Sequence, residues 1–151
     1  MQPILFFVVM TLVTGVLYPL AVTAVVKVVF PKQSSGSLVV QNNQVIGSEL
    51  IAQPFKDPKY FWPRPSASNY NAVPSGASNL GPMNPKFPKN MNQTTSASGL
   101  DPHITLPMAR EQIPRIAKAR HIKPELLENL ISKPDKPYIN VLLANLKLNE
   151  I

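Results

Sequence analysis

The chain of 151 residues contains no cysteine. That excludes disulfides, thiol catalysis and cysteine-based metal sites, although it does not decide the compartment. There are only two histidines, His103 and His121, too few for a histidine-rich metal centre. No glycine-rich phosphate loop, no G-x-S-x-G nucleophile elbow and no D-K-T-G-T phosphorylation string occurs. The net charge is +7, yet no two basic residues are adjacent and no basic stripe interleaves with aromatics. A nucleic-acid partner is therefore not expected. Such a surface suits acidic lipid headgroups or an acidic protein partner better.

What the first thirty residues lack is charge. They carry only Lys27, whereas residues 31–151 carry the other fourteen basic residues and all eight acidic ones. The near-neutral mean hydropathy thus averages two segments suited to different solvents. The run Ile4–Val26, ILFFVVMTLVTGVLYPLAVTAVV, is uncharged over 23 residues. As a helix it spans roughly 35 Å, enough to cross a hydrocarbon core of about 30 Å. A cleaved signal peptide would have a shorter apolar core behind a positively charged start, and Met-Gln-Pro supplies no side-chain charge. The expectation is a transmembrane anchor helix over 4–30 and a soluble domain over 31–151.

Within the helix, Thr11, Gly15, Pro19 and Thr23 recur every four residues. That spacing makes one ridge of small or backbone-altering side chains, suited to close approach by a partner helix. Pro19 also predicts a kink. Orientation is weakly signalled. Lys27 and Lys32 follow the span, and the positive-inside rule taken alone would place the domain in the cytoplasm. Long domains translocate in spite of so short a bias, so the residues leave the direction open.

The soluble part is expected to be a small loop-rich α+β domain. Residues 31–100 hold nine of the seventeen prolines. Composition alone would make this a linker, but three features argue for order. Ser37–Val40 and Gln44–Ile46 are β-prone around Asn42-Asn43, which predicts a hairpin. Phe55, Tyr60, Phe61 and Trp62 need burial or a partner. Ser75-Gly76 and Gly81-Pro82 mark turns. Residues 83–95 are expected to be the most flexible. Further on, Thr105 is the expected N-cap of a helix reaching about Arg120, with Pro107 in its first turn and Pro114 threatening to split or kink it. A second helix is expected from Pro124 through Ile131, stopped by Pro134. Tyr138–Leu148 is read as a closing strand with Val141 and Leu143 on one face.

Ser98, Asp101 and His103 are the residue types of a hydrolytic triad. Three residues within six positions seldom reach the required mutual geometry, and local turn bonding by Ser98 and Asp101 is the plainer expectation. Arg64, between Pro63 and Pro65, is expected either to form a fixed ion pair or partner contact, or to be solvated.

Six strings in order carry a resemblance. They are Gly15-x-x-Tyr18-Pro19-Leu20; Gly47-Ser48-x-Leu50-Ile51-x-Gln53 with Phe55; Tyr60-Phe61-Trp62-x-Arg64-Pro65-Ser66-Ala67; Ser75-Gly76-x-Ser78-Asn79-Leu80-Gly81-Pro82; Ser98-Gly99-Leu100-Asp101-Pro102-His103-Ile104 with Gln112, Arg115, Ile116, Ala117 and Arg120; and Asn140-Val141-Leu142. Together they cover nearly the whole chain, which resembles the C subunit of the Kdp-type potassium-transporting P-type ATPase.

The resemblance implies a non-catalytic accessory subunit of an ATP-driven potassium uptake complex. It implies as partners a channel-like potassium-binding subunit, an ATP-hydrolysing P-type subunit and a small membrane peptide. It further implies a single-pass protein of the bacterial cytoplasmic (inner) membrane, with its C-terminal domain outside. No cofactor is expected on this chain, and ATP is met only through the pump subunit. The role implied is either to stabilise or assemble the complex or to act as a catalytic chaperone raising that subunit's ATP affinity, although the latter sits awkwardly with a domain outside the membrane. Arg64, Asn79, Asp101 and His103 are the candidate structural or partner contacts, and Thr11, Gly15, Pro19 and Thr23 the candidate helix-docking face. The alternatives are a membrane-tethered binding or signalling module, and a hydrolase built on Ser98, Asp101 and His103. The chain departs from the family pattern where Ala52 and Ala77 replace glycines, which strains the backbone if φ is positive there. It also departs where Asn84–Thr95 is short, which would expose an apolar face.

Overall fold

The computed structural model describes residues 2–89, 94–132 and 136–151. The chain parts into two compact units at the Leu38–Val39 bond.

The first unit is dominated by α1 (Gln2–Val29), 28 residues long and apolar enough to cross a membrane. Its large side chains are uncovered, including Phe6, Phe7, Leu17 and Leu20. In water that exposure would be strongly unfavourable, at about 25 cal/mol per Å² of apolar surface. Lipid or other helices are the natural solvent for it. The helix contains a π-turn over Val13–Leu17, in which the Tyr18 N–H donates to Val13 O. It lies just ahead of Pro19, whose ring would clash with a regular α-turn. The π-turn also affects the small-residue ridge. Four residues overshoot an α-turn of 3.6, so an i+4 ridge drifts around a regular helix. A wider turn rotates less per residue and offsets that drift between Thr11 and Pro19. The hydroxyls of Thr11 and Thr23 donate to their own helix, at Phe7 O (2.8 Å) and Pro19 O (2.7 Å). A short helix, α2 (Pro31–Ser34), follows.

The expected hairpin is β1 (Leu38–Gln41) and β2 (Gln44–Ser48), all of it but Leu38 within the second unit. Asn42 and Asn43 both have positive φ, 51° and 63°, the backbone a tight two-residue turn requires. Val40, Val45, Leu50 and Ile51 stay exposed in this region. Residues 49–102 contain no helix or strand among those described, yet backbone hydrogen bonds between distant parts of the segment order them. Examples are Ala52 N–H to Leu100 O (2.9 Å) and Ser96 N–H to Pro65 O (3.1 Å). Gly81–Asn84 and Asn84–Phe87 form consecutive turns, while 90–93, within the segment expected to be flexible, lie outside the described residues. Neither Ala52 nor Ala77 has positive φ, so neither carries the strain anticipated for a replaced glycine.

The core is built on helices. β3 (His103–Thr105) leads into α3 (Leu106–Arg120), capped by Thr105 Oγ1, which accepts the Met108 N–H. Pro114 lies inside α3 without splitting it, on the exposed side. There its missing N–H leaves only a solvent-facing carbonyl unpaired. α4 (Pro124–Ile131) buries Leu127 and Ile131 as expected. Its expected stop, Pro134, lies outside the described residues.

The closing strand is corrected. Only Tyr138–Asn140 is extended, as β4, pairing antiparallel with β3 in the register His103 to Asn140, Ile104 to Ile139 and Thr105 to Tyr138. Val141–Leu148 is a helix, α5. Asn140 caps it by accepting the Leu143 N–H. Val141, Ala144, Asn145 and Leu148 are buried, which is the i, i+3, i+4, i+7 stripe of a helix. Ile113, Ile116, Leu127, Ile131, Val141 and Leu148 pack into one cluster with Ile104 and Phe61. Each contributes about 1.5–3 kcal/mol by burial.

Candidate functional site

Two neighbouring features gather the residues that the sequence singles out. The first is a strap, residues 58–62, running across the helices with no strand partner. Such a segment must place its backbone polar groups somewhere. Here every carbonyl from Pro58 to Trp62 accepts a hydrogen bond from a helix side chain. Arg115 donates to Pro58 O and to Tyr60 O (3.0 Å). Arg120 Nε donates to Lys59 O (2.9 Å). Asn145 Nδ2 donates to Phe61 O (2.9 Å) and Gln112 Nε2 to Trp62 O (3.1 Å).

The two amides also close the loop from the other side. Phe61 N–H donates to Asn145 Oδ1 (2.8 Å), and Trp62 N–H to Gln112 Oε1 (2.7 Å). Each amide therefore acts as a short piece of neighbouring strand. Phe61 and Trp62 alternate as in any extended segment, so Phe61 is fully buried while Trp62 is 37% exposed. The Arg115 guanidinium lies 3.7 Å from the centre of the Trp62 ring. Burial lowers the Arg115 pKa from its ordinary value. Arg120 ties in the chain end through Leu148 O (2.8 Å) and Asn149 Oδ1 (2.7 Å).

The second feature is a cavity of about 450 Å³ lined by Arg64, Asp101, His103, Ile104, Met108 and Tyr138 among others. Arg64 forms the fixed ion pair, Nη1 to Asp101 Oδ2 at 3.4 Å. It also donates to Thr94 Oγ1 (3.3 Å) and Thr95 O (3.0 Å). Asp101 Oδ1 accepts the His103 N–H (3.0 Å), and the His103 Nδ1 stands 3.5 Å from the same oxygen. The His103 ring meets the Tyr138 ring edge-on, with centroids 4.8 Å apart.

The fold thus unites Arg64, Asp101 and His103. Asn79 is not among the lining residues; it is exposed in irregular backbone with φ 55°. Ser98 is spent locally, its Oγ accepting the Leu100 N–H (3.1 Å). Among the described residues no hydrogen bond joins Ser98 to Asp101 or His103, so the hydrolytic arrangement is not assembled. Asn145 escaped the sequence reading because an Asn inside an apolar run breaks the visible periodicity. The residues at 141, 144 and 148 were the signal that could have placed it on a buried helix face. Thr11, Gly15, Pro19 and Thr23 lie in the other unit, on α1.

The chain matches the family model described as "KdpC: K+-transporting ATPase, c chain" over residues 1–95 and 87–150. Relatives named potassium-transporting ATPase KdpC subunit include one from Burkholderia cenocepacia, 40% identical over 97% of this chain and 93% of its own length. Others are from Geotalea uraniireducens, 41% identical over 98% and 95%, and Dechloromonas aromatica, 41% identical over 96% and 93%. The alignment with the first runs over 179 positions, more than this chain's 151 residues, so the relative carries residues without a counterpart here. The two matched stretches meet at 87–95, where the sequence reading expects a segment to be missing. With matches of this extent and a single apolar N-terminal helix, the chain belongs to the KdpC family, the c chains of potassium-transporting ATPases.

Proposed function

We propose that the chain is a non-catalytic assembly subunit of an ATP-driven potassium uptake complex. On this reading it docks through α1 and through its second unit onto a channel-like potassium-binding subunit. An ATP-hydrolysing P-type subunit and a small membrane peptide complete the assembly. The observation that carries the reading is the uncovered state of α1, whose apolar side chains are exposed on every side. The offset of the ridge drift by the π-turn supports Thr11, Gly15, Pro19 and Thr23 as the face that meets a partner helix. Arg64, Asp101 and His103 are read as a structural or partner-contact cluster, and exposed Asn79 as a partner contact.

The soluble part, residues 31–151, is placed outside the bacterial cytoplasmic membrane in this proposal. A stabilising or gating contact at the outer mouth of the channel-like subunit then follows more directly than a catalytic-chaperone role, because ATP binds on the inner side. The test is copurification of the tagged, solubilised chain. Recovery of the potassium-pump subunits is the expected result, and their absence under conditions that preserve the complex overturns the proposal. Protease added to intact spheroplasts should remove the second unit, and its protection would place that unit inside.

A further inference from the structure

The Arg64 cavity holds more hydrogen-bond donors than its own residues satisfy. Arg64 offers five N–H groups in a planar fork. Three bonds are made, to Asp101, Thr94 and Thr95. Two N–H groups therefore have no acceptor among the described residues. The His103 ring nitrogen remote from Asp101 and the Tyr138 hydroxyl have no hydrogen-bond partner there either, and both side chains line the same cavity. Asp101 is the only carboxylate among the described lining residues, and Arg64 and His103 already engage both of its oxygens. Facing this polar wall are Ile104, Met108 and the Tyr138 ring.

α3 begins at the cavity, and its positive end adds to the field. The helix offers no free donor at its first positions. Leu106 N–H is bonded to Pro137 O (3.2 Å), Pro107 has no N–H, and Met108 N–H is bonded to Thr105 Oγ1 (3.4 Å). Ligand hydrogen bonds would come from side chains alone.

We infer that this cavity binds a small organic carboxylate carrying a flat apolar body. The carboxylate meets the open edge of Arg64 and the Tyr138 hydroxyl, and the body lies against Ile104 and Met108. The volume of about 450 Å³ falls within the range of small-molecule sites, roughly 300–1,000 Å³. A cationic ligand would have to compete with Arg64 for the Asp101 carboxylate. A purely apolar ligand would leave the donors unpaired. The inference is separate from complex membership, since it concerns this chain alone.

Phenylacetate is a suitable probe, phenethylamine its cationic counterpart and inorganic phosphate the anion without a body. Binding would be measured by saturation-transfer NMR on the full chain in micelles of a neutral detergent. Phenylacetate is expected to bind, and the other two to bind much more weakly. Arg64→Gln should weaken phenylacetate binding by about tenfold or more, and Tyr138→Phe by a few-fold. Circular dichroism reports whether each variant folds, and if Arg64→Gln does not, Tyr138→Phe alone decides. The inference is overturned if phenylacetate fails to bind up to about 10 mM, which would mean a cavity filled by water only. Equal binding of phenethylamine or phosphate, or unchanged binding in the folded variants, overturns it as well.

Discussion

Asn145 hydrogen-bonds both backbone groups of Phe61, accepting from its N–H at 2.8 Å and donating to its carbonyl at 2.9 Å. Both residues are buried, so water cannot replace either bond. Asn145→Ala should therefore orphan two buried backbone groups. At about 1–3 kcal/mol each, a loss of roughly 3 kcal/mol is expected in chemical denaturation. Asn145→Asp should be no better, because it keeps the acceptor, loses the donor and buries a charge. Gln112→Ala, which breaks the equivalent pair at the more exposed Trp62, should cost less, about 1 kcal/mol. Equal losses for the Asn145 and Gln112 variants would contradict this ranking by burial.

Arg115 serves two carbonyls of the strap, the Gln112 side chain and one face of the Trp62 ring. Lysine keeps the charge but has neither the fork nor the planar stacking surface. Arg115→Lys is expected to destabilise the fold by about 1–3 kcal/mol. The chain has one tryptophan, so its emission reports on this site alone. The variant should shift that emission to the red as the ring loses its guanidinium cover, and an unchanged spectrum would argue that the stacking has no role.

These interactions explain what was legible beforehand and what was not. The apolar run of α1, the Asn42-Asn43 turn and the Thr105 cap are local signals, and each is present in the structure. Gln112, Arg115 and Arg120 were visible as a family string, but their purpose was not. Their acceptors on the strap lie fifty or more residues away in sequence, and backbone carbonyls leave no residue-type signature. Tyr138–Leu148 failed for another reason. VLLANLKL fits a strand or a helix equally well by apolar content, and the decision rests on tertiary contacts made by Asn140 and Asn145. The three-residue strands β3 and β4 were too short for any periodicity to show. In the cavity, Arg64 and Asp101 are 37 residues apart, so only the fold could choose between an ion pair and a solvated arginine.

Tyr70 gives a prediction about pH. Its hydroxyl donates to Arg64 O (3.0 Å), and burial raises its pKa above the ordinary value of 10.0. A raised folded-state pKa means that the folded chain holds the proton more tightly than the unfolded chain. The associated stability is fully present below pH 10 and is lost as pH rises through the folded-state value. Tyr70→Phe should cost about 1 kcal/mol at neutral pH through the lost hydrogen bond. It should also flatten the alkaline decline of stability relative to the parent. Parallel alkaline curves for the two proteins would assign that decline to other groups.

Two glycines separate folding from docking. Gly99 has φ +70°, and a Cβ there would lie 2.5 Å from Ser68 Oγ, 2.9 Å from Gly76 O and 3.0 Å from Ser66 Oγ. One of those neighbours is backbone and cannot rotate away. Gly99→Ala should cost at least about 2 kcal/mol from backbone strain and crowding, read as a lower denaturation midpoint. Beyond its chain neighbours and its own helix backbone, no described atom lies within 4 Å of a Cβ added at Gly15. Gly15→Leu should therefore not lower the helicity or stability of the isolated chain. If the α1 ridge meets a partner helix, the same variant should sharply reduce copurification with the pump subunits, because a bulky side chain on that face holds the backbones apart. Full recovery of the partners with Gly15→Leu would remove this face of α1 from the docking surface, while leaving the rest of the helix available to dock.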